Sequence, residues 1–166
     1  MEGHMKRIRD VLQEHPDLYV VQQHVTVEEA ARFMAEKNIG ALPVLDGNRL
    51  VGIVSERDVI TRVVAQSKDP AKTTVREVMS RDLLVASPDE PYESCLRKMK
   101  QANIRHLPVI EEDKLVGVIS LRDLLRVDVD EKDEQIEFLH RYLFTVPPGV
   151  AKQYGEQGTT PEKSGG

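Results

Sequence analysis

The chain has one cysteine, Cys95, no tryptophan, and only three Phe and four Tyr among its 166 residues. A single thiol excludes an intrachain disulfide framework and any multi-thiolate metal site, and it suits a reducing compartment. So few aromatics make a stacking platform for single-stranded nucleic acid a poor expectation. No stretch approaches the roughly 18 to 20 apolar residues that cross a bilayer, and Met1 to Arg9 lacks the apolar core of a signal peptide. The expectation is a cytoplasmic protein without a membrane or nucleic-acid partner.

What is present is charge, unevenly placed. The formal net charge is −5, from 23 basic and 28 acidic residues. Between Asp128 and Glu137 stand six acids (Asp128, Asp130, Glu131, Asp133, Glu134, Glu137) against Lys132, which leaves 22 acids and 22 bases elsewhere. The deficit therefore belongs to one segment. With Ile136, Leu139 and Leu143 at helical spacing, residues 128–144 are predicted to form an amphipathic helix with an acidic start, favoured by the helix dipole. Residues 145–166, rich in glycine and proline, are expected to be disordered.

The rest of the chain repeats at an offset of 65 residues. Asn38 to Ile60 aligns without gaps on Asn103 to Leu125, with Asn38/Asn103, Ile39/Ile104, Leu42/Leu107, Pro43/Pro108, Val44/Val109, Leu50/Leu115, Val51/Val116, Gly52/Gly117, Ser55/Ser120, Arg57/Arg122 and Asp58/Asp123 identical. Upstream, Ile8 to Leu12 echoes Val75 to Met79 if the first copy carries two extra residues after that stretch. Each copy is expected to be a complete unit, over 8–70 and 75–127. Units of about 65 residues bury too little surface alone, so the two should share a core and pack face to face about a pseudo-twofold axis.

Within the first copy, Tyr19 to Val21 is predicted as a strand, and Thr26-x-x-Glu29 as a capping box opening a helix to about Lys37. Ala41 to Leu45 and Leu50 to Val54 form a hairpin about Asp46-Gly47-Asn48, and a helix from Ser55 to about Gln66 follows. The second copy predicts a strand over Leu83 to Ala86, a helix over Tyr92 to Ala102, hairpin strands over His106 to Ile110 and Leu115 to Ile119, and a helix from Ser120. The fold class is α/β (α+β): two β-α-β-β-α repeats plus a C-terminal helix.

Each copy ends its last strand in Gly-x-x-Ser-x-x-Asp: Gly52, Ser55, Asp58 and Gly117, Ser120, Asp123. A serine N-cap leaves helical amides that can hold an anion, the aspartate can accept both hydroxyls of a ribose diol, and the glycine lets backbone approach a flat base. A capping box with Asp in place of Glu explains the serine and aspartate without any ligand.

The strands Ala-Leu-Pro-Val-Leu and His-Leu-Pro-Val-Ile, with Leu-Val-Gly-Ile-Val-Ser-Glu-Arg-Asp and Leu-Val-Gly-Val-Ile-Ser-Leu-Arg-Asp, resemble a tandem pair of cystathionine-beta-synthase (CBS) domains, the Bateman module. The resemblance covers about Ile8 to Val127. It implies two clefts that take adenosyl ligands such as AMP, ADP, ATP or S-adenosylmethionine, with no further cofactor. Phosphate and ribose roles then fall to Ser55 and Asp58, and to Ser120 and Asp123; adenine would meet Tyr19, Val20, Ile39, Leu84 and Ile104.

Before the shared Leu-Pro-Val the first copy has Gly40-Ala41 and the second Arg105-His106, a pair that by resemblance can reach phosphates. Gly40 is retained among the candidate contacts. The Asp123 cleft is thereby expected to be the better site, with the Asp58 cleft empty or suited to a less charged ligand. Arg57 and Arg122 divide between helix surface and phosphate contact. His4, His15 and His24 lack metal-ligand spacing and are expected at the surface, and Cys95 is expected to be a buried thiol rather than a nucleophile. No Ser/His/Asp, paired-carboxylate or Walker pattern is evident. The expected function is a regulatory, non-enzymatic sensor, homodimeric through its helices and acting on an unidentified protein effector. A scaffold protein with degenerate clefts is the alternative.

Overall fold

The computed structural model describes residues 5–143, so the tail at 145–166 lies outside the described residues. In chain order the elements are α1 (Ile8–Glu14), β1 (Val21–Gln22), α2 (Val27–Lys37), β2 (Ala41–Asp46), β3 (Arg49–Ser55), α3 (Glu56–Val59), α4 (Val75–Val78), α5 (Tyr92–Ala102), β4 (His106–Glu111), β5 (Lys114–Ser120) and α6 (Leu121–Leu143). A π-helical turn, Ile60–Val64, continues α3. Among the described residues no helix is long and apolar enough to cross a membrane.

The crossover helices start and stop on local chemistry. Glu29 N–H donates to Thr26 Oγ1 at 3.2 Å while Thr26 N–H donates to Glu29 Oε2 at 3.1 Å, the reciprocal cap expected for α2. Both α2 and α5 end on asparagines in the left-handed region, Asn38 and Asn103, each at φ 53°. Asparagine tolerates that conformation, and the following Ile39 and Ile104 amides turn back to the carbonyls of Met34 and Met99 at 3.0 Å.

Sheet register is duplicated as well. β2 and β3 are antiparallel with Val44 opposite Gly52, and β4 and β5 place Val109 opposite Gly117; both ladders slip just after that valine. Two expected strands are corrected. Tyr19 and Val20 precede a strand of only Val21–Gln22, parallel to β2. Leu83 to Ala86 reduces to an isolated parallel bridge, Ala86 to Val109, because only Ala86 exchanges ladder bonds, with Pro108 and Ile110. The acidic segment is not a helix start: it lies in the interior of α6, so the dipole argument for its N-terminal charges does not apply.

Among the described residues there are two hydrophobic cores, and they do not follow the sequence repeats. One gathers Val27, Ala30 and Met34 of α2, Leu42, Val44 and Val54 of the hairpin, and Val75, Val78 and Met79 from α4 and its end. The other gathers Tyr92, Cys95, Leu96 and Met99 of α5, Leu107, Val109 and Ile119 of the second hairpin, Leu124 and Val127 of α6, and Ile8 and Val11 of α1. The first copy's own N-terminal helix thus completes the second core. Backbone bonds repeat the exchange on both sides: Ile8 N–H donates to Glu90 O at 2.9 Å and Tyr92 N–H to Lys6 O at 3.1 Å, matched by Val75 to Val25 at 2.9 Å and Val27 to Thr73 at 2.8 Å. Each fully buried Val, Leu or Ile contributes roughly 1.5–3 kcal/mol of apolar transfer, so Ile8 in one core and Val75 and Val78 in the other stabilise the core they enter.

Candidate ligand cleft

The Gly-x-x-Ser-x-x-Asp motif folds as a capping box in both repeats. Ser55 N–H and Oγ–H both donate to Asp58 Oδ2, at 2.9 and 3.0 Å, and Asp58 N–H donates to Ser55 Oγ at 3.3 Å. Ser120 N–H donates to Asp123 Oδ2 at 3.1 Å, and Asp123 N–H to Ser120 Oγ at 3.0 Å. The first amide of each helix is also taken: Glu56 N–H donates to Gly40 O at 3.0 Å, and Leu121 N–H to Arg105 O at 2.7 Å. Capping therefore occupies groups that the sequence offered to an anion. It leaves Oδ1 of each aspartate outside the box.

The motif glycines do not face a base. A Cβ on Gly52 would lie 2.5 Å from Met79 Sδ, and one on Gly117 would lie 2.5 Å from Leu12 Cδ2. Their role is to admit the end of the exchanged helix, α4 against β3 and α1 against β5.

A cavity of about 400 Å³ lies beside the first capping box. That size falls within the roughly 300–1,000 Å³ of small-molecule sites. From the first repeat it is lined by Gly40, Ile53, Ser55, Glu56, Arg57 and Asp58; from the stretch after α4 by Ser80, Asp82, Leu83 and Leu84; and from the second repeat by Ala102, Asn103, Ile104, Arg105, His106 and Pro108. Among the expected contacts it brings together Gly40, Ser55, Asp58, Leu84, Ile104, Arg105 and His106. Tyr19, Val20, Ile39, Ser120 and Asp123 are not in its wall. The Tyr19 ring instead stands edge-on to Phe33, with centroids 5.6 Å apart, and lies beneath Lys37 Nζ at 5.2 Å.

Arg105 and His106 stand beside the second capping box, His106 opposite Ser120 in the β4–β5 ladder and Arg105 O accepting from Leu121 N–H. Both line the Asp58 cavity, because the start of β4 faces across to Gly40 and Glu56; a Cβ on Gly40 would meet His106 Nε2 at 3.4 Å and Glu56 Oε2 at 3.5 Å. His106 also senses Asp123. Burial pushes its imidazole below the ordinary value, against the opposing pull of Glu56 and Asp123, so it presents a neutral ring rather than half of a basic pair. Asp58 is buried, and its Oδ1 faces Arg62 Nε at 3.7 Å.

Ser80, Asp82 and Leu83 join the wall beyond the expected contacts; Asp82-Leu83 repeats Asp17-Leu18 at the 65-residue offset, whereas no pattern in the sequence marks Ser80. Cys95 is fully buried, and desolvation pushes its thiol up to about 11, which fits an inert core thiol. Among the described residues no group of three metal-ligating side chains converges.

The model of the CBS domain matches residues 8–65 and 75–130. The chain is 38% identical over 104 residues to the CBS domain-containing protein YhcV of Bacillus subtilis, covering 63% of this chain and 74% of that protein. Its fold is similar to that of a CBS-domain containing protein from Agrobacterium tumefaciens, with a TM-score of 0.70 and 26% identity over 74% of this chain and 99% of that one. It is also similar to a CBS domain pair crystallised in complex with 5′-methylthioadenosine and S-adenosyl-L-methionine, with a TM-score of 0.67 and 28% identity over 76% and 98% of the two chains.

Proposed function

The chain belongs to the CBS-domain family, and from that premise we propose that it is a regulatory module that binds an adenosyl compound in the Asp58 cavity. The observation that carries this reading is the composition of the cavity wall, drawn from both repeats. Leu83, Leu84 and Ile104 supply apolar surface for a flat base, Asp58 offers Oδ1 to ribose hydroxyls, and Arg105 stands at the start of β4 for a phosphate or carboxylate. The related CBS pair bound to methylthioadenosine and S-adenosyl-L-methionine supports the adenosyl class.

A ligand held by both repeats stabilises the arrangement in which its contacts from the two sides coexist, and differential affinity of that kind is what a sensor requires. Output then passes through self-assembly or a protein effector in the cytoplasm. A homodimer would use the exposed apolar side chains Ile60 and Leu125, related by the repeat offset, with Val64 one turn beyond Ile60.

The test is titration with AMP, ADP, ATP, S-adenosylmethionine and methylthioadenosine, followed by calorimetry, thermal unfolding and light scattering. Ligand at 100 times Kd adds about 2.7 kcal/mol to stability. Binding is expected for wild type and strongly reduced for Asp58→Ala. Affinity undiminished in Asp58→Ala would remove the site assignment. Failure of every adenosyl compound to stabilise the protein would favour an interaction scaffold.

A further inference from the structure

The carboxylate at the Asp58 cavity is backed by a guanidinium that its repeat-related partner lacks. Asp58 Oδ2 accepts from Ser55 N–H and Oγ–H, whereas Oδ1 lies 3.7 Å from Arg62 Nε, a charge contact beyond hydrogen-bond length. Nη1 of the same guanidinium donates to the carbonyls of Val78 and Met79 at 2.9 and 3.2 Å. The position that the repeat relates to Arg62 is Val127, which is buried and carries no charge.

The turn that carries Arg62 differs between the copies as well. Ile60–Val64 is π-helical and closes with Ala65 N–H on Ile60 O at 2.9 Å, whereas the related residues 125–129 lie in ordinary α-helix within α6. Single π-turns of this kind recur at functional sites. The carbonyls that hold Nη1 stand at the end of α4, and the chain runs on from them into Ser80, Asp82, Leu83 and Leu84 of the cavity wall. Arg62 itself does not line the cavity. From behind the wall, one side chain connects the carboxylate offered to ribose with the segment offered to the base.

Resting on the reading that Asp58 receives ligand hydroxyls, we propose that Arg62 is a positioning residue: it fixes Asp58 Oδ1 relative to the Ser80–Leu84 wall, so that the cavity selects a ribose over a deoxyribose. Because Nε makes no hydrogen bond to Oδ1 and Nη1 is held by backbone, Oδ1 stays open to hydroxyl donors. The guanidinium offsets the charge of a buried carboxylate without covering it. The Arg62 side chain is 49% exposed, so solvent weakens the attraction between the charges. Its effect lies in orientation, since two backbone carbonyls set where the planar fork points.

The probes are 5′-methylthioadenosine and 5′-methylthio-2′-deoxyadenosine, which differ by one hydroxyl. A hydrogen bond to a charged group should make wild type favour the ribonucleoside by about tenfold in calorimetry. In Arg62→Met, which keeps the apolar stem, that preference is expected to fall toward parity while the deoxynucleoside binds nearly as it does to wild type. An unchanged preference in Arg62→Met, or equal weakening of both nucleosides, overturns the positioning role and leaves the ligand reading intact. If wild type binds both nucleosides alike, Asp58 does not receive the hydroxyl and the proposal falls with that assignment. If wild type binds neither, the adenosyl reading itself fails and takes the positioning role with it. Urea unfolding of Arg62→Met, Asp58→Asn and the double variant checks the contact without ligand. The two losses should be non-additive, and additive losses remove the pairing on which the proposal stands.

Discussion

Gly52→Ala tests whether the exchange of N-terminal helices sets the close approach at β3. The new methyl would lie 2.5 Å from Met79 Sδ, 2.9 Å from Met79 Cγ and 2.9 Å from the Ser80 carbonyl oxygen. A methionine tip can swing aside, but the carbonyl is pinned: Ser80 O accepts from Ile53 N–H at 3.0 Å, and Ser80 N–H donates to Ile53 O at 2.9 Å. Gly117→Ala is the built-in control, because its methyl would meet Leu12 side-chain carbons at 2.5, 3.3 and 3.4 Å, with no backbone atom among these nearest neighbours. Overpacking a well-filled site costs about 1–3 kcal/mol. The pinned carbonyl places Gly52→Ala near the top of that range and Gly117→Ala near the bottom. With about 2–4 °C per kcal/mol for a chain of this size, Tm should fall by about 6–12 °C and about 2–4 °C respectively. Urea unfolding and thermal scans followed by circular dichroism would measure both. Wild-type stability in Gly52→Ala, or a larger loss in Gly117→Ala, would refute the reasoning.

Two further expectations concern stability alone. Burial holds the His106 imidazole below its ordinary value, so below about pH 6.5 the unfolded chain takes up a proton that the native state refuses. Its contribution is present above that pH and is lost as pH falls through it; His106→Gln should therefore flatten the decline in urea stability between pH 7.5 and 5.5, and an equally steep decline would assign the slope to other groups. In the second hairpin Glu112 and Asp113 both occupy the left-handed region, at φ 49° and 62°, where the first hairpin has Gly47 at φ 62°. Side chains there cost roughly 1–2 kcal/mol per residue relative to glycine, so Glu112→Asn combined with Asp113→Gly should raise stability by about 1 kcal/mol, and a lower Tm would show that the acidic turn is held by contacts the replacement removes.

The legible parts of this molecule are those whose cause is local. Tyr92–Ala102 and the Thr26 cap follow from residues within a few positions of one another, and the 65-residue offset carries the pattern from one hairpin to the other. Asn38 and Asn103 were visible as an identical pair, and their physical reason, a left-handed helix end, came with the backbone angles. The exchange of α1 and α4 was illegible because a repeat in sequence reads as a self-contained unit, while Ile8 and Val11 are apolar in the same way whichever core they enter. Arg105 and His106 belong in sequence to the copy that contains Asp123, and they also line the cavity of Asp58; His15, at the end of α1 from the other copy, lies 4.0 Å from Asp123. When two repeats trade helices across a pseudo-twofold axis, each cleft draws groups from both copies. The extra residues around His15 add a difference on the Asp123 side. The unmatched residues of the repeat, Arg62 and His15, thus give the two otherwise equivalent aspartates different neighbours.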